Sequence, residues 1–179
     1  MRRADMNRGI AAGFIIFLVF AGLAVWLFYP CQYVLSFQNK QTEEFAVFVP
    51  LKESEHFQIK FTHSIHLSDV IEEYKVKDDK LIPVQLIYED TAVGMPGNAS
   101  EGEAFELKDG KYYITGLKGE HDYIDLSVGQ VKANHRIIYN DLQFALKDYV
   151  DGGTIVRIQP LYINNWELLR GVNVHEQER

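Results

Sequence analysis

An all-β domain behind a single N-terminal transmembrane helix is the fold class that this sequence predicts. The run from Ile10 to Tyr29 holds 20 residues without a charge, about the length that a helix needs to cross ~30 Å of hydrocarbon. From Tyr33 to Ile163 the chain carries short segments of alternating apolar and polar residues, separated by turn signals. This pattern predicts an antiparallel β-sandwich or barrel with at most one short helix.

The residues that flank the apolar run predict its orientation and retention. Three arginines and one aspartate precede it, so the positive-inside tendency predicts a cytoplasmic N-terminus and an extracytoplasmic domain. A cleaved signal peptide has a shorter apolar core and small residues at the cleavage site, and Phe28-Tyr29-Pro30 offers no such site. Lipidation of Cys31 stays open. We predict a cytoplasmic segment 1–9, an anchor 10–29 in the cell membrane, a β domain 30–172 and an unburied charged tail 173–179.

The composition of the outer domain limits its partners. It carries 15 Lys and Arg against 24 Asp and Glu, because three of the chain's 18 basic and one of its 25 acidic residues precede the anchor. The net charge of −9 argues against nucleic acid and against electrostatic docking on anionic lipid. A single cysteine excludes a disulfide within the domain.

The strand segments follow from alternation and from turn residues. Those expected are Tyr33–Phe37, Glu44–Val49, Leu81–Tyr88, Phe105–Leu107, Lys111–Thr115 and Thr154–Ile163, with further short apolar segments in Asp122–Val128 and Val131–Tyr139. Pro83 indicates that part of its strand lies at a sheet edge. Glu89–Glu103 is a loop long enough to suggest binding or function. Asn140 is expected to cap a short helix with one apolar stripe, made of Leu142, Ala145, Leu146 and Tyr149.

The stretch from Phe57 to Tyr74 predicts a β-hairpin whose turn is His66–Asp69. With a four-residue turn, His63 lies opposite Glu72 on an otherwise apolar face. Three interpretations of this pair stay open: a buried hydrogen-bonded pair that fixes the register, a ligand or metal site, and a catalytic base with its orienting carboxylate.

Other polar residues add little chemistry to this pair. Ser64 points to the opposite face from its neighbour His63 and cannot be its nucleophile partner. His63, His66 and Glu72 do not complete a metal coordination shell, and His121 and His135 are expected to be solvated. We predict no catalytic site, no metal site and no cofactor.

The chain resembles a bacterial family, the domain of unknown function 1850. The residues that carry the resemblance are Phe61-Thr62-His63-Ser64, then Val70, Glu72 and Tyr74, and later Gly94-Met95-Pro96. Two departures from the family pattern are Ala92, where the family has glycine, and His66, at a place that is often acidic. The resemblance implies that His63, Ser64, Glu72, Tyr74, Gly94 and Pro96 form or support a site.

The resemblance also implies a function. Members of the family are associated with TRAP transporters of the TAXI type, so an accessory or interaction module that assists solute uptake, and not an enzyme, is expected here. Its partners would be the membrane, through Ile10–Tyr29, and transporter subunits. The alternatives are a sensor domain for a small ligand or a metal, and a hydrolase using His63 and Glu72.

Overall fold

The structure contains two antiparallel β-sheets behind one long helix. The computed structural model describes residues 2–52, 55–91, 94–130 and 133–174, and for residues 2–9 it describes the backbone only. The predictions for Ala92 and for residues 175–179 lie outside this range. The elements are α1 (Arg2–Phe28), β1 (Pro30–Asn39), β2 (Phe45–Pro50), β3 (His56–Thr62), β4 (Asp69–Lys77), β5 (Lys80–Tyr88), β6 (Ala104–Lys108), β7 (Lys111–Thr115), β8 (Ile124–Ser127), β9 (Arg136–Tyr139), β10 (Leu142–Ala145), a 3₁₀ turn (Leu146–Asp148), β11 (Ile155–Asn164) and α2 (Asn165–Arg170).

The two sheets form a sandwich around one main core. The small sheet has the strand order β2-β1-β11-β8, and the large sheet has the order β10-β9-β3-β4-β5-β7-β6. The core contains buried side chains from both, with Leu35, Phe37 and Ile158 from the small sheet against Ile59 and Ile137 from the large one. Alternating strands with one apolar face are expected to pack in this way. The predicted fold class is therefore confirmed.

Helix α1 leads into the sandwich almost without a linker. Its segment Ile10–Phe28 is long and apolar enough to cross a membrane, and none of it is buried by the rest of the protein. These are the properties of a membrane span or of a signal sequence. Tyr29 alone separates α1 from β1. The Asn165 side chain donates a hydrogen bond from Nδ2 to the Trp26 carbonyl oxygen at 2.7 Å, so α2 begins beside the last turn of α1.

The sandwich has an anchor pole, where β1 begins, and a distal pole at the other end of the strands. The β4–β5 turn belongs to the anchor pole, because Asp78 and Asp79 line the same 570 Å³ cleft as Tyr33 and Tyr162. Strand β3 starts at this pole too, since the Val76 amide at the end of β4 donates to the Glu55 carbonyl oxygen. The β3–β4 connection, residues 63–68, therefore lies at the distal pole, and so do residues 89–91 and 94–96 after β5, which stay beside Tyr88. These two segments are the distal loops.

Several predicted elements are confirmed and some are wrong. The Asp109-Gly110 turn has positive φ at both residues, as the hairpin between β6 and β7 requires. Pro83 lies beyond Gln85–Tyr88, the part of β5 that pairs with β7. The helix predicted after Asn140 is wrong. Asn140 adopts φ 51° and turns the chain back, so that Leu142–Ala145 pairs with β9 as β10.

The C-terminal part of the chain holds a helix that was not predicted and a buried end. The Asn164 side chain accepts from the Glu167 amide while the Glu167 side chain accepts from the Asn164 amide, a capping box that starts α2. After α2 the chain returns to the small sheet, where the Phe48 amide donates to the Val172 carbonyl oxygen. Val174 is fully buried. The prediction of an unburied tail is therefore wrong for residues 173 and 174.

Candidate functional site

The predicted pairing of His63 with Glu72 is wrong. Glu72 lies opposite Ile59 on β3, and the last pair before the loop is Thr62 with Asp69. The loop therefore has six residues, 63–68, where four were predicted. Ile59 and Thr62 are three residues apart, roughly 10 Å along a strand, and His63 lies beyond Thr62. His63 and Glu72 consequently do not form a base and its orienting carboxylate.

His63 organises the loop at the distal pole instead of facing a strand. Its amide donates to the Ser68 carbonyl oxygen at 2.8 Å, and its carbonyl oxygen accepts from the Leu67 amide at 2.9 Å. Its ring stacks on the His66 ring, with the centroids 5.3 Å apart. Ser64 is exposed in the same turn. These bonds give residues 63–68 a fixed conformation.

His66 joins the two distal loops. Its Nδ1 lies 2.9 Å from a carboxylate oxygen of Asp90, which follows β5. With Nδ1 donating to that carboxylate, the other ring nitrogen, Nε2, is left as an acceptor in the neutral ring. Nε2 is buried and has no hydrogen-bond partner among the residues that the structure describes. An orphaned buried polar atom of this kind indicates a position where a ligand or a water can bind.

Glu72 and Tyr74 form a separate polar pair on the core-facing side of β4. The Tyr74 hydroxyl donates to Glu72 Oε2 at 2.8 Å, and the Tyr74 ring stacks on Phe57 with the centroids 5.6 Å apart. Burial, and then the adjacent Glu72 carboxylate, raise the pKa of Tyr74. Tyr74 thus remains a neutral donor, and the carboxylate is held by its own strand rather than by a histidine.

Met95 and Pro96 of the β5–β6 loop pack against the large sheet. Met95 packs against a second core cluster that includes Val70, Tyr88 and Ile114. The Tyr88 hydroxyl donates to the Pro96 carbonyl oxygen. Gly94 has φ 90°, a conformation that residues with a side chain rarely adopt. Gly94 and Pro96 thus shape the loop that closes this end of the sandwich.

His135 is buried, so the prediction that it is solvated is wrong. Its ring lies 5.3 Å from the Phe61 ring, and its Nδ1 accepts a hydrogen bond from the Gly129 amide at 3.2 Å. Burial lowers the pKa of His135. The polar sequence around His135 gave no signal for this burial, whereas His121 is exposed as predicted.

The remaining charged cluster holds strands together and contacts no predicted site residue. Arg157 on β11 donates from Nε and Nη2 to the two oxygens of Asp125 on β8, at 2.8 and 3.0 Å. Lys40 lies 2.8 Å from the same carboxylate. The hydrogen bonds from Arg157, followed by those from Lys40, lower the pKa of Asp125 to about 2. Across the described ranges of the chain, no group of three or more His, Cys, Asp or Glu side chains could hold a metal ion.

The comparison with protein families identifies the part of the chain that holds these loops. A family model described as "Domain of unknown function (DUF1850)" matches residues 57–146, half of the 179-residue chain. The chain belongs to the DUF1850 family. No curated protein and no solved structure matches the chain. The DUF1850 segment holds nearly all of the large sheet and both distal loops, whereas β1, β2 and β11 of the small sheet lie outside it.

The DUF1850 motif residues are divided between the distal pole and the sheet interior. His63, Ser64, Gly94 and Pro96 lie in the two distal loops, and Glu72 and Tyr74 lie on the core-facing side of β4. The structure brings the two loops together through His66 and Asp90. The contact of His66 with Asp90 could not be predicted from the sequence. The two residues are 24 positions apart and lie in loops, where no strand register relates them.

Proposed function

We propose that this DUF1850 protein is a membrane-anchored, extracytoplasmic interaction module that assists a TRAP-type solute uptake system by binding a protein partner at its distal pole. The observation that carries the proposal is the loop tip. Ile65 and Leu67 are 60% and 62% exposed there, next to the rings of His63 and His66. Adjacent apolar side chains held in water favour a protein contact.

The backbone of the tip supports a functional role. Leu67 adopts φ 57°, a conformation that is uncommon and strained for a large aliphatic residue. The strain persists because the His63 backbone bonds and the His66–Asp90 contact fix the residues on both sides. A rigid tip needs little further ordering when it binds, which favours affinity.

The junction of α1 with the sandwich supports retention of the anchor. Strand β1 begins at Pro30, which pairs with Asn164, and the pairing with β11 resumes at Gln32 after a bulge. A signal-peptide cleavage site has small residues after the apolar core, and here the chain enters β1 through Phe28-Tyr29-Pro30. The basic residues before the apolar segment Ile10–Phe28 support the extracytoplasmic location. The TRAP assignment comes from the family resemblance.

Site-specific crosslinking in cells tests the proposal. A photoreactive amino acid replaces Ile65 in the full chain, and a matched variant carries it at Tyr162, which is 59% exposed at the anchor pole. We expect the Ile65 variant to crosslink a subunit or the solute-binding protein of an uptake system, and the Tyr162 variant to give no such product. Products of equal amount from both positions, or no uptake component from Ile65, would refute the proposal.

A sensor for a small ligand is the second candidate, favoured by the orphaned Nε2 of His66. A ligand that donates a hydrogen bond to this nitrogen would lie between the two distal loops. Mass spectrometry of the protein under non-denaturing conditions, purified directly from its membrane, tests this candidate. A bound molecule that is lost in His66→Phe and kept in His121→Phe supports the sensor. The hydrolase interpretation has lost its basis, because His63 and Glu72 do not meet.

A further inference from the structure

The exposed face of α2 lies next to the end of the apolar helix. Within α2, Leu168 packs on a cluster of the small sheet with Val34, Phe48 and Ile163. This contact fixes which side of the short helix faces outward. Leu169 is 72% and Trp166 44% exposed. Residues three apart on a helix share a face, so both side chains project from the same outward surface.

Arg170 completes this surface. Its guanidinium carbon lies 5.6 Å from the centre of the Trp166 ring. An aromatic ring, a large aliphatic side chain and an arginine on one face are the combination that favours the membrane interface. The ring and the leucine can enter the boundary of the acyl chains while the guanidinium meets lipid phosphate.

The level of α2 relative to the span follows from one contact. Asn165 donates to the carbonyl oxygen of Trp26, two residues before the end of the apolar segment at Phe28. Two residues of a helix correspond to ~3 Å along its axis. The start of α2 is therefore level with the boundary between hydrocarbon and headgroups of a membrane crossed by α1. Helix α2 also contacts α1 at this level.

Charges near α2 limit how deeply it enters. Glu43 and Glu44 line the same cleft of 600 Å³ as Trp166 and Arg170. Both glutamates follow the far end of β1, and carboxylates are costly to transfer into hydrocarbon, so the side of α2 that lines this cleft stays above the hydrocarbon. We propose that α2 is a second membrane contact, in which Trp166 and Leu169 lie in the lipid interface and hold the sandwich in one orientation. The inference rests on the proposed membrane anchor.

The two tryptophans of the chain make the test direct. The full-length Trp26→Phe variant, reconstituted in phosphatidylcholine vesicles, has Trp166 as its sole tryptophan, and Trp166→Phe has only Trp26. Each is compared in vesicles whose lipids carry bromine near the headgroup end of the acyl chains. We expect bromine to quench the Trp166 emission, as for residues at the acyl boundary, and to quench Trp26 as well.

A third variant, Trp26→Phe/Trp166→Phe/Tyr123→Trp, is the matched control. Tyr123 is also 44% exposed, and like Trp166 it has an arginine beside its ring, because the Arg157 guanidinium lies over it. Tyr123 precedes Ile124, and Ile124 pairs with Ile158 on β11. Ile158 lies roughly 20 Å along β11 from Asn164, so Tyr123 is far from the start of α2. Bromine should leave its emission unchanged.

The outcomes separate the two proposals. Quenching of Trp26 without quenching of Trp166 would overturn the inference about α2 and leave the anchor intact. Quenching of neither tryptophan would refute the membrane anchor itself. Equal quenching of Trp166 and of the tryptophan at position 123 would also overturn the inference, because it would mean that the sandwich has no fixed orientation on the lipid surface.

Discussion

Removal of the Tyr74 hydroxyl isolates one hydrogen bond on the core-facing side of β4. The hydroxyl donates to the Glu72 carboxylate at 2.8 Å, and the ring stacks on Phe57. Tyr74→Phe keeps the ring and the stack and leaves Glu72 without this donor. Because hydrogen bonds to charged groups contribute ~1.5–3 kcal/mol, we expect the free energy of unfolding to fall by about 2 kcal/mol.

Urea denaturation and thermal unfolding of the purified full-length protein measure this loss. For a chain of this length a loss of 2 kcal/mol corresponds to a fall of roughly 4–8 °C in Tm. In the double-mutant cycle, Tyr74→Phe and Glu72→Ala together should cost less than the sum of the two single changes by about 1–2 kcal/mol. Tyr113→Phe, which removes a hydroxyl on β7, is the control and should cost less than about 0.5 kcal/mol.

Alkaline pH gives an independent check of the same bond. The pKa of Tyr74 is raised by burial and by Glu72, so the stabilisation is complete below the ordinary tyrosine pKa of about 10 and is lost as the pH rises above it. Tyr74→Phe should therefore lose less stability than the natural protein above that pH. Additive losses in the cycle, together with an unchanged alkaline slope, would refute the assignment of this hydrogen bond.

Three further predictions concern titration and backbone conformation. Burial lowers the pKa of His135, so the unfolded chain takes up a proton first, and stability should fall as the pH drops below about 6.5. His135→Asn should flatten this slope in pH-dependent urea denaturation and His121→Asn should not; equal slopes would contradict the buried state. Asp125, with a pKa of about 2, should contribute stability that is lost as the pH falls from about 4 toward 2, and Asp125→Asn should lack that loss in acid titration monitored by circular dichroism. Gly94→Ala should lower the free energy of unfolding by about 1 kcal/mol, because φ at Gly94 is 90°. Gly97→Ala is the control and should cost less than about 0.5 kcal/mol, since no atom lies within 4 Å of an added Cβ there. Equal costs in thermal unfolding would contradict the assigned backbone.

Local patterns were sufficient to predict the sandwich. The alternation in Phe45–Pro50 and in Ile155–Asn164 follows from strands with one side in a core, and Asp109-Gly110 is a turn that few other residues can make. The capping box of Asn164 and Glu167 is also a local signal, and it could have identified α2. The helix was not predicted from its apolar residues, because six residues are too few to show the helical spacing of apolar side chains.

Tertiary contacts decided the parts that were wrong. Ile65 continues the apolar alternation of β3, which favoured a longer strand and a shorter turn. The strand ends earlier because His63 bonds the loop backbone and Asp90 holds His66. The apolar residues of Leu142–Ala145 fit the spacing of a helix as well as that of a strand. The positive φ of Asn140 turns the chain so that this segment pairs with β9, and the apolar spacing does not reveal that turn.

The one-residue junction at Tyr29 has a consequence for how quickly and how tightly a partner is found. In the proposed arrangement the distal tip stands at a nearly constant height above the lipid, because the span and the sandwich meet without a tether. A long tether would let the tip sample a large volume and dilute it, whereas this junction confines it to a thin layer parallel to the bilayer. A transporter subunit in the same membrane then shares a two-dimensional space with the tip, which raises their effective concentration. A flexible insertion after Tyr29 should weaken this encounter without altering a single contact at the tip.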